Sequence, residues 1–152
     1  MITPLIAIDP GTDVSAVVTW DGAKVAGWIE PNQSCLNRLR TCPQGCSIAV
    51  EMIASYGMSV GREVFETCLV IGRIQEICAA RNIPCRLVYR RDVKLHHCGT
   101  ARAKDGNIRQ ALIDKYGAPG TKKHKGLTYG IKSHIWAAFA IATFISETDK
   151  PI

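Results

Sequence analysis

Two short apolar runs, each closing on a carboxylate, frame the chain. Leu5-Ile-Ala-Ile runs into Asp9, and Ser47-Ile-Ala-Val runs into Glu51. Short apolar runs bounded by turn residues predict buried strands, here over Leu5–Asp9 and Cys46–Glu51. Pro10-Gly11-Thr12 predicts a turn after the first, with Pro fixing φ and Gly free to take positive φ. Val14–Trp20 and Lys24–Glu30 read as strands on either side of Asp21-Gly22, a strong hairpin dipeptide. Cys85–Tyr89 supplies a fifth strand.

Helical spacing fills the remainder. Asn32–Arg40 predicts a short helix and Thr41–Gly45 a loop. Over Ser59–Arg81, Val60, Val64, Cys68, Ile71, Ile74 and Cys78 fall near one face, with Arg62, Glu63, Glu66, Arg73 and Glu76 elsewhere. Asn82 and Pro84 stop that helix. Asp92–His97 predicts a helical turn, and Asp105–Tyr116 a basic amphipathic helix stopped by Gly117. Gly117–Gly130 is rich in Gly and Lys and is expected to be mobile. Ser133 is placed as the N-cap of a last helix, His134–Ile145, apolar on nearly all sides and therefore buried. Glu147–Ile152 is read as a polar tail. A meander followed by alternating strands and helices predicts an α/β fold, a five-stranded mixed sheet flanked by helices. No repeat or linker divides residues 1–152, so a single domain is expected.

Composition narrows the class. The chain is 47% hydrophobic and 21% charged, which excludes disorder. No uncharged apolar stretch approaches the roughly 20 residues of a membrane span, and no basic segment precedes the first apolar run, so neither a membrane partner nor a secretory signal is expected. Seven cysteines in a chain of this size read as reduced thiols of a cytoplasmic protein.

The charge is uneven. Residues 1–80 hold five basic and eight acidic side chains, residues 81–132 thirteen and three, and residues 133–152 one and two. A block at +10 beside an acidic half points to a polyanionic partner, nucleic acid foremost. The candidate phosphate contacts are Arg90, Arg91, Lys94, Arg102, Arg109, Lys122, Lys123, Lys125 and Lys132. Lys122–Lys125 reads as an arm that orders on a polyanionic partner. Tyr56 is a candidate for stacking on a base; Phe65 is read as core.

The acidic strand ends carry the chemistry. If the first and fourth strands are parallel neighbours, Asp9 and Glu51 stand about 5 Å apart. Two such carboxylates repel unless a cation or proton lies between them. Hard oxygen donors favour Mg²⁺ or Mn²⁺. The alternative is that each acid caps the segment after it.

Asp9-Pro-Gly-Thr after a first strand, and Glu51 closing the fourth, resemble the ribonuclease H-like nuclease superfamily. Val93–Leu112 (VKLHHCGTARAKDGNIRQAL) resembles a segment of RuvC-type Holliday-junction resolvases. Glu51–Thr67 and Gly130–Ala142 look like the small phage or prophage members of that group. The similarity spans about residues 5–145. It implies a homodimeric, two-metal endonuclease that hydrolyses phosphodiesters in four-way junctions and other branched DNA, in a bacterial or phage-infected cytoplasm, without a nucleotide cofactor. It implies Asp9, Glu51 and His134 as metal ligands and Lys104 as a catalytic, charge-stabilising residue. Ala137 stands where the family pattern has an Asp. Either three ligands suffice, or Asp13 or Glu66 substitutes, or metal binding is weakened. A junction-binding protein without cleavage and an RNA-processing nuclease are the alternatives, with an actin-like phosphotransferase fragment a third that a chain without room for a second nucleotide-binding lobe disfavours. The long helix 59–81 is the expected dimer face.

Other residues read as structure. Cys42-x₃-Cys46 with His96-His97-Cys98 departs from zinc-site spacing. Cys68 and Cys78 fit a helix face. Trp20 and Trp28 are expected to cover the sheet, and Trp136 to lie in the core.

Overall fold

The computed structural model describes residues 4–149. Strands β1 (Leu5–Pro10), β2 (Val14–Trp20) and β3 (Val25–Pro31) form the expected antiparallel meander. Asp21 Oδ1 accepts the backbone N–H groups of Ala23 and Lys24 at the β2–β3 turn, at 2.8 and 2.7 Å. Strands β4 (Ser47–Met52) and β5 (Cys85–Tyr89) add in parallel on the other side of β1, giving the order β3-β2-β1-β4-β5.

Side-chain alternation divides the core between the two faces of the sheet. Ile6, Ile8, Val17, Ile48 and Val50 face helices α1 (Asn32–Thr41) and α2 (Arg62–Ala80). Leu5, Ala7, Ala16, Val18 and Ala49 face the opposite layer of α3 (Arg90–Cys98), α4 (Asp105–Tyr116) and α5 (Ile135–Thr148). Helix α5 is buried almost throughout, with Ala138, Phe139, Ala140 and Ala142 at most 1% exposed. It approaches β3 so closely that a Cβ on Gly27 would lie 2.4 Å from Ile135 Cγ2. A residue without a side chain at this point lets the start of α5 settle on the sheet.

Several expectations are corrected. Helix α2 begins at Arg62, because Gly61 is extended at φ −89°, ψ −179°. It packs through Thr67, Val70, Ile71, Ile74 and Cys78, which leaves Phe65 exposed rather than in the core. Ser133 is not an N-cap: its φ is +52°, His134 takes the cap position, and no side chain caps the helix. The expected polar tail starts as helix, since α5 continues to Thr148, with Ser146 and Thr148 hydroxyls donating back to Thr143 and Phe144 carbonyls; residues 150–152 lie outside the described residues. The Gly- and Lys-rich segment is a loop closed on itself rather than a free arm. Gly126 N–H donates to Pro119 O at 2.8 Å, Gly120 bridges to Lys125, and the fully buried Thr128 donates to Gly117 O. At Gly126 a Cβ would meet Ala118 O at 1.9 Å, so only glycine closes this loop.

Cys42 and Cys46 lie in the α1–α2 core, whereas Cys98 packs in the opposite layer. The composite zinc site is thereby excluded, and all seven cysteines are free. Trp136 is a core residue, as expected, and Trp20, expected to cover the sheet, belongs to the same core cluster. Among the described residues no helix is long and apolar enough to cross a membrane.

Candidate active site

The parallel β1–β4 ladder aligns Ile8 with Val50, which brings the next residues, Asp9 and Glu51, side by side. Both fall two positions after an alanine that faces α5, Ala7 and Ala49, so both carboxyls project toward that helix. Their side chains are 14% and 15% exposed. At the start of α5, His134 Nδ1 lies 3.1 Å from Asp9 Oδ2. The His134 side chain is 77% exposed, so the three-residue group opens to solvent on one side.

The turn that follows Asp9 is held from a distance. Asn32, at the start of α1, donates from Nδ2 to Gly11 O at 2.9 Å and Thr12 O at 3.0 Å. Its Oδ1 accepts the buried Ser15 hydroxyl at 2.7 Å. One amide thereby fixes the chain just beyond the site and satisfies the polar groups of a half-buried turn.

A cleft of about 650 Å³ lies in front of the acids, lined by residues that include Asp9, Glu51, Arg90, Asp105, Arg109, His134, Trp136 and Ala137. Arg90, the first residue of α3, directly follows β5, so its position is set by the strand next to β4. Its Nη1 is 3.6 Å from Glu51 Oε1, and its Nη2 contacts Asp105 at the start of α4. The Arg109 guanidinium lies 5.4 Å from the centroid of the Trp136 ring. A smaller cavity, about 310 Å³, adjoins through Arg90 and is lined by Tyr56, Arg91, Lys94 and Ala101.

The electrostatics of the paired acids are unfavourable without a counter-ion. Burial raises the Asp9 carboxyl above its ordinary value, against the opposing pulls of Glu51 and Arg90. Burial, reinforced by Asp9, pushes Glu51 up to about 8, with Arg90 pulling the other way. Desolvation and like charge act together, as they do wherever two carboxylates share a site. Two buried oxygen donors beside an imidazole are a chemically suitable set for a divalent cation.

The predicted site residues thus divide into two groups. Asp9, Glu51, His134, Arg90 and Arg109 meet in the main cleft, while Tyr56, Arg91 and Lys94 meet in its neighbour. Lys104 occupies the N-cap of α4, exposed and one residue short of the cleft lining. Arg102, Lys122, Lys123, Lys125 and Lys132 are exposed outside both cavities. Of the substitutes considered for an acid at 137, Asp13 lies exposed outside the cleft. Glu66 belongs to α2 on the other face of the sheet and pairs with Arg62. The residues that sequence reasoning missed are Asp105 and Asn32. Asp105 opens a helix and reads as an ordinary first-turn acid; Asn32 acts across twenty residues, a relation no local pattern encodes.

No family model matches the chain, and no curated protein matches it in sequence. Solved structures do. A Thermus thermophilus RuvC structure superposes with a TM-score of 0.64 at 17% identity, over 95% of this chain and 96% of that one. T. thermophilus RuvC in complex with Holliday junction substrate superposes with a TM-score of 0.61 at 13% identity, over 95% and 93% of the two chains. The chain therefore has the RuvC fold, a ribonuclease H-like mixed sheet enclosed between two layers of helices.

Proposed function

We propose that this chain is a metal-dependent endonuclease that resolves four-way DNA junctions and related branched DNA. We propose further that residues 1–152 act as one nuclease domain and work as a homodimer in a bacterial or phage-infected cytoplasm. The observation that carries the reading is the Asp9–Glu51–His134 group at the C-terminal ends of two central strands of a RuvC-fold sheet, beside a cleft with arginine side chains. Asp9, Glu51 and His134 would hold Mg²⁺ or Mn²⁺. Asp105, the third carboxylate on the cleft lining, would supply the ligand that Ala137 does not. When bound, such ions supply Lewis acidity that activates water and stabilises a departing oxygen.

The chain's own residues do the remaining work. Asp9 orients His134 by accepting from its ring, which fixes the imidazole over the acids. Arg90 neutralises Glu51 and Asp105 in the unloaded site and becomes available to a phosphate oxygen once a cation takes over that task. Arg109, resting on the Trp136 ring, presents a guanidinium to the strand entering the cleft. Tyr56, Arg91 and Lys94 form a second contact point, an aromatic side chain and two cations lining one cavity, suited to an unpaired base and its phosphate. Lys104 at the rim supplies further positive charge. Phe65 and Leu69 on α2, 63% and 71% exposed, form the face for the second protomer.

A second reading rests on Ala137, which lines the cleft without offering a ligand. It is a protein of the same fold that binds junctions and does not cut them. One experiment separates the two. Purified protein and Asp9→Asn are incubated with an end-labelled four-way junction and a matched linear duplex, in Mg²⁺, Mn²⁺ or EDTA. Paired nicks confined to the junction, requiring metal and Asp9, support the nuclease. Tight junction binding with no cut in either metal supports the binding protein.

A further inference from the structure

The far end of α5 carries a second group of metal-ligand side chains that the nuclease reading does not use. His96 and His97 on α3 and Glu147 on α5 each offer a ligand atom within 4.8 Å of the others. Glu147 lies thirteen residues beyond His134 along the chain, so about 20 Å of helix separates it from that residue, while Ala140, whose carbonyl His97 touches, lines the cleft.

The surroundings pre-set each donor. His97 Nε2 lies 2.9 Å from Ala140 O, a backbone acceptor, with the Thr143 hydroxyl at 3.2 Å. A neutral imidazole that donates from Nε2 keeps the lone pair on Nδ1. Imidazole ligands of metals are commonly oriented in this way, by giving their other N–H to a carbonyl. Glu147 is held at the opposite oxygen: Oε1 contacts Lys115 Nζ and accepts the Tyr116 hydroxyl. Its Oε2 is left facing His96 Nε2 at 2.5 Å. The His96 ring is braced edge-on against His97 and Phe144, at centroid separations of 4.9 and 5.4 Å. The cluster is thus supported from three helices, and the Lys115 charge is spent on the oxygen turned away from His96.

We infer that His96, His97 and Glu147 form a second cation site, with none of its ligands shared with the Asp9–Glu51–His134 group, which takes a Zn²⁺-class ion and ties α3 to the end of α5. Two imidazoles and one carboxylate are the donor set of a tetrahedral zinc centre with its fourth position open. They select against Mg²⁺, which prefers an all-oxygen shell. The inference does not depend on the nuclease reading.

Cobalt is the probe, because Co²⁺ substitutes for zinc and reports its coordination in visible absorption. Full-length reduced protein is titrated with Co²⁺ in an Asp9→Asn background, which disables the cleft. We expect one equivalent bound, with the intense visible bands of four-coordinate cobalt, displaced by Zn²⁺ and not by excess Mg²⁺. His97→Gln and Glu147→Gln should each abolish those bands while retaining the circular dichroism of the parent. Zn²⁺ should raise the melting midpoint of the Asp9→Asn parent and of neither double variant. If one variant fails to fold, His96→Gln provides the same comparison. Bands that survive in Glu147→Gln, bands that show thiolate-to-cobalt charge transfer, or no binding to Asp9→Asn at all would each overturn the assignment. The second outcome would place the ion on cysteine, and the third would leave the cleft as the cobalt site.

Discussion

His134 Nδ1 stands 3.1 Å from Asp9 Oδ2, across 125 positions of sequence, because the start of α5 is seated on the same sheet face that bears Asp9. The contact links the most buried acid of the cleft to its most exposed imidazole. If these residues hold metal together, removing the acid disables the site without unfolding it. Asp9→Asn should reduce junction cleavage by more than the roughly 10–100-fold that losing an outer partner of a ligand costs. Junction affinity should hold or improve, since a negative charge facing phosphate is removed. Cleavage and gel-shift assays on the same preparation check both; full activity in the variant would sink the assignment.

The paired acids make a prediction about stability that needs no substrate. Glu51 is held up to about 8, chiefly by burial and then by Asp9, and Asp9 is shifted in the same direction. An acid whose folded value is raised binds more protons in the folded state than in the unfolded one. Its stabilising effect is present below the ordinary carboxylate value and is lost as pH rises through the folded value. The metal-free protein should therefore lose on the order of a few kcal/mol between about pH 4.5 and 8. Glu51→Gln should flatten that slope, and so should saturating Mg²⁺ or Mn²⁺. Thermal melts across the pH range with EDTA or metal provide the measurement, and a parallel slope in Glu51→Gln would refute the cause.

Ala137 and Asp105 make an opposed pair of substitutions. Both line the cleft, one without a ligand atom and one with a carboxylate engaged by Arg90. If Asp105 stands in for the missing acid, Asp105→Asn should cut metal-dependent cleavage about tenfold or more. Adding Ala137→Asp to that variant should restore part of the loss. Metal-titration curves of cleavage rate would show the effect as a shift in the concentration required. No loss in Asp105→Asn would return the residue to a helix-start acid paired with Arg90.

How much of this was legible beforehand follows the range of the interactions. Val14–Trp20, Cys85–Tyr89 and Asp105–Tyr116 stand where alternation, helical period and turn residues placed them, because those signals are local. The Asp9–Glu51 juxtaposition was legible on the condition that the first and fourth strands pair in parallel, which the β1–β4 ladder meets. Phe65 was misread because a helix lying on a sheet buries only one stripe, and its rotation is set by Ile71 and Ile74 lower down. Ser133 was misread because the entry to α5 is shaped by a left-handed residue rather than by a hydroxyl. Arg90 looked like one more phosphate contact. Its ion pairs with Glu51 and Asp105 depend on three elements converging, which sequence separation hides.

Asn32 tests positioning at a distance. Its amide joins Gly11, Thr12 and Ser15 around the turn after Asp9. Asn32→Ala would leave the buried Ser15 hydroxyl and the turn carbonyls without their partner, at a cost of about 1–3 kcal/mol. Asn32→Asp retains the acceptor for Ser15 and loses both donors. Both variants should melt lower, and the metal concentration needed for cleavage should rise, since the turn no longer fixes Asp9. A loss of stability with unchanged metal dependence would make Asn32 purely structural.

The face formed by Phe65 and Leu69 addresses the dimer. These side chains are one helical turn apart on α2 and turn away from the sheet, while Thr67, Val70 and Ile71 between and beside them are buried. Burying one such side chain is worth about 1.5–3 kcal/mol, so a second protomer covering both would gain several. Phe65→Glu with Leu69→Glu should weaken self-association by roughly a hundredfold or more and leave the fold intact, because neither residue belongs to the core. Sedimentation equilibrium of the parent and the double variant reads the change directly. Paired nicking at a junction should then give way to single, uncoordinated nicks, because each half of the junction needs its own cleft at the same moment. A double variant that remains dimeric would move the interface to another surface, and coordinated nicking by a proven monomer would remove the need for a dimer.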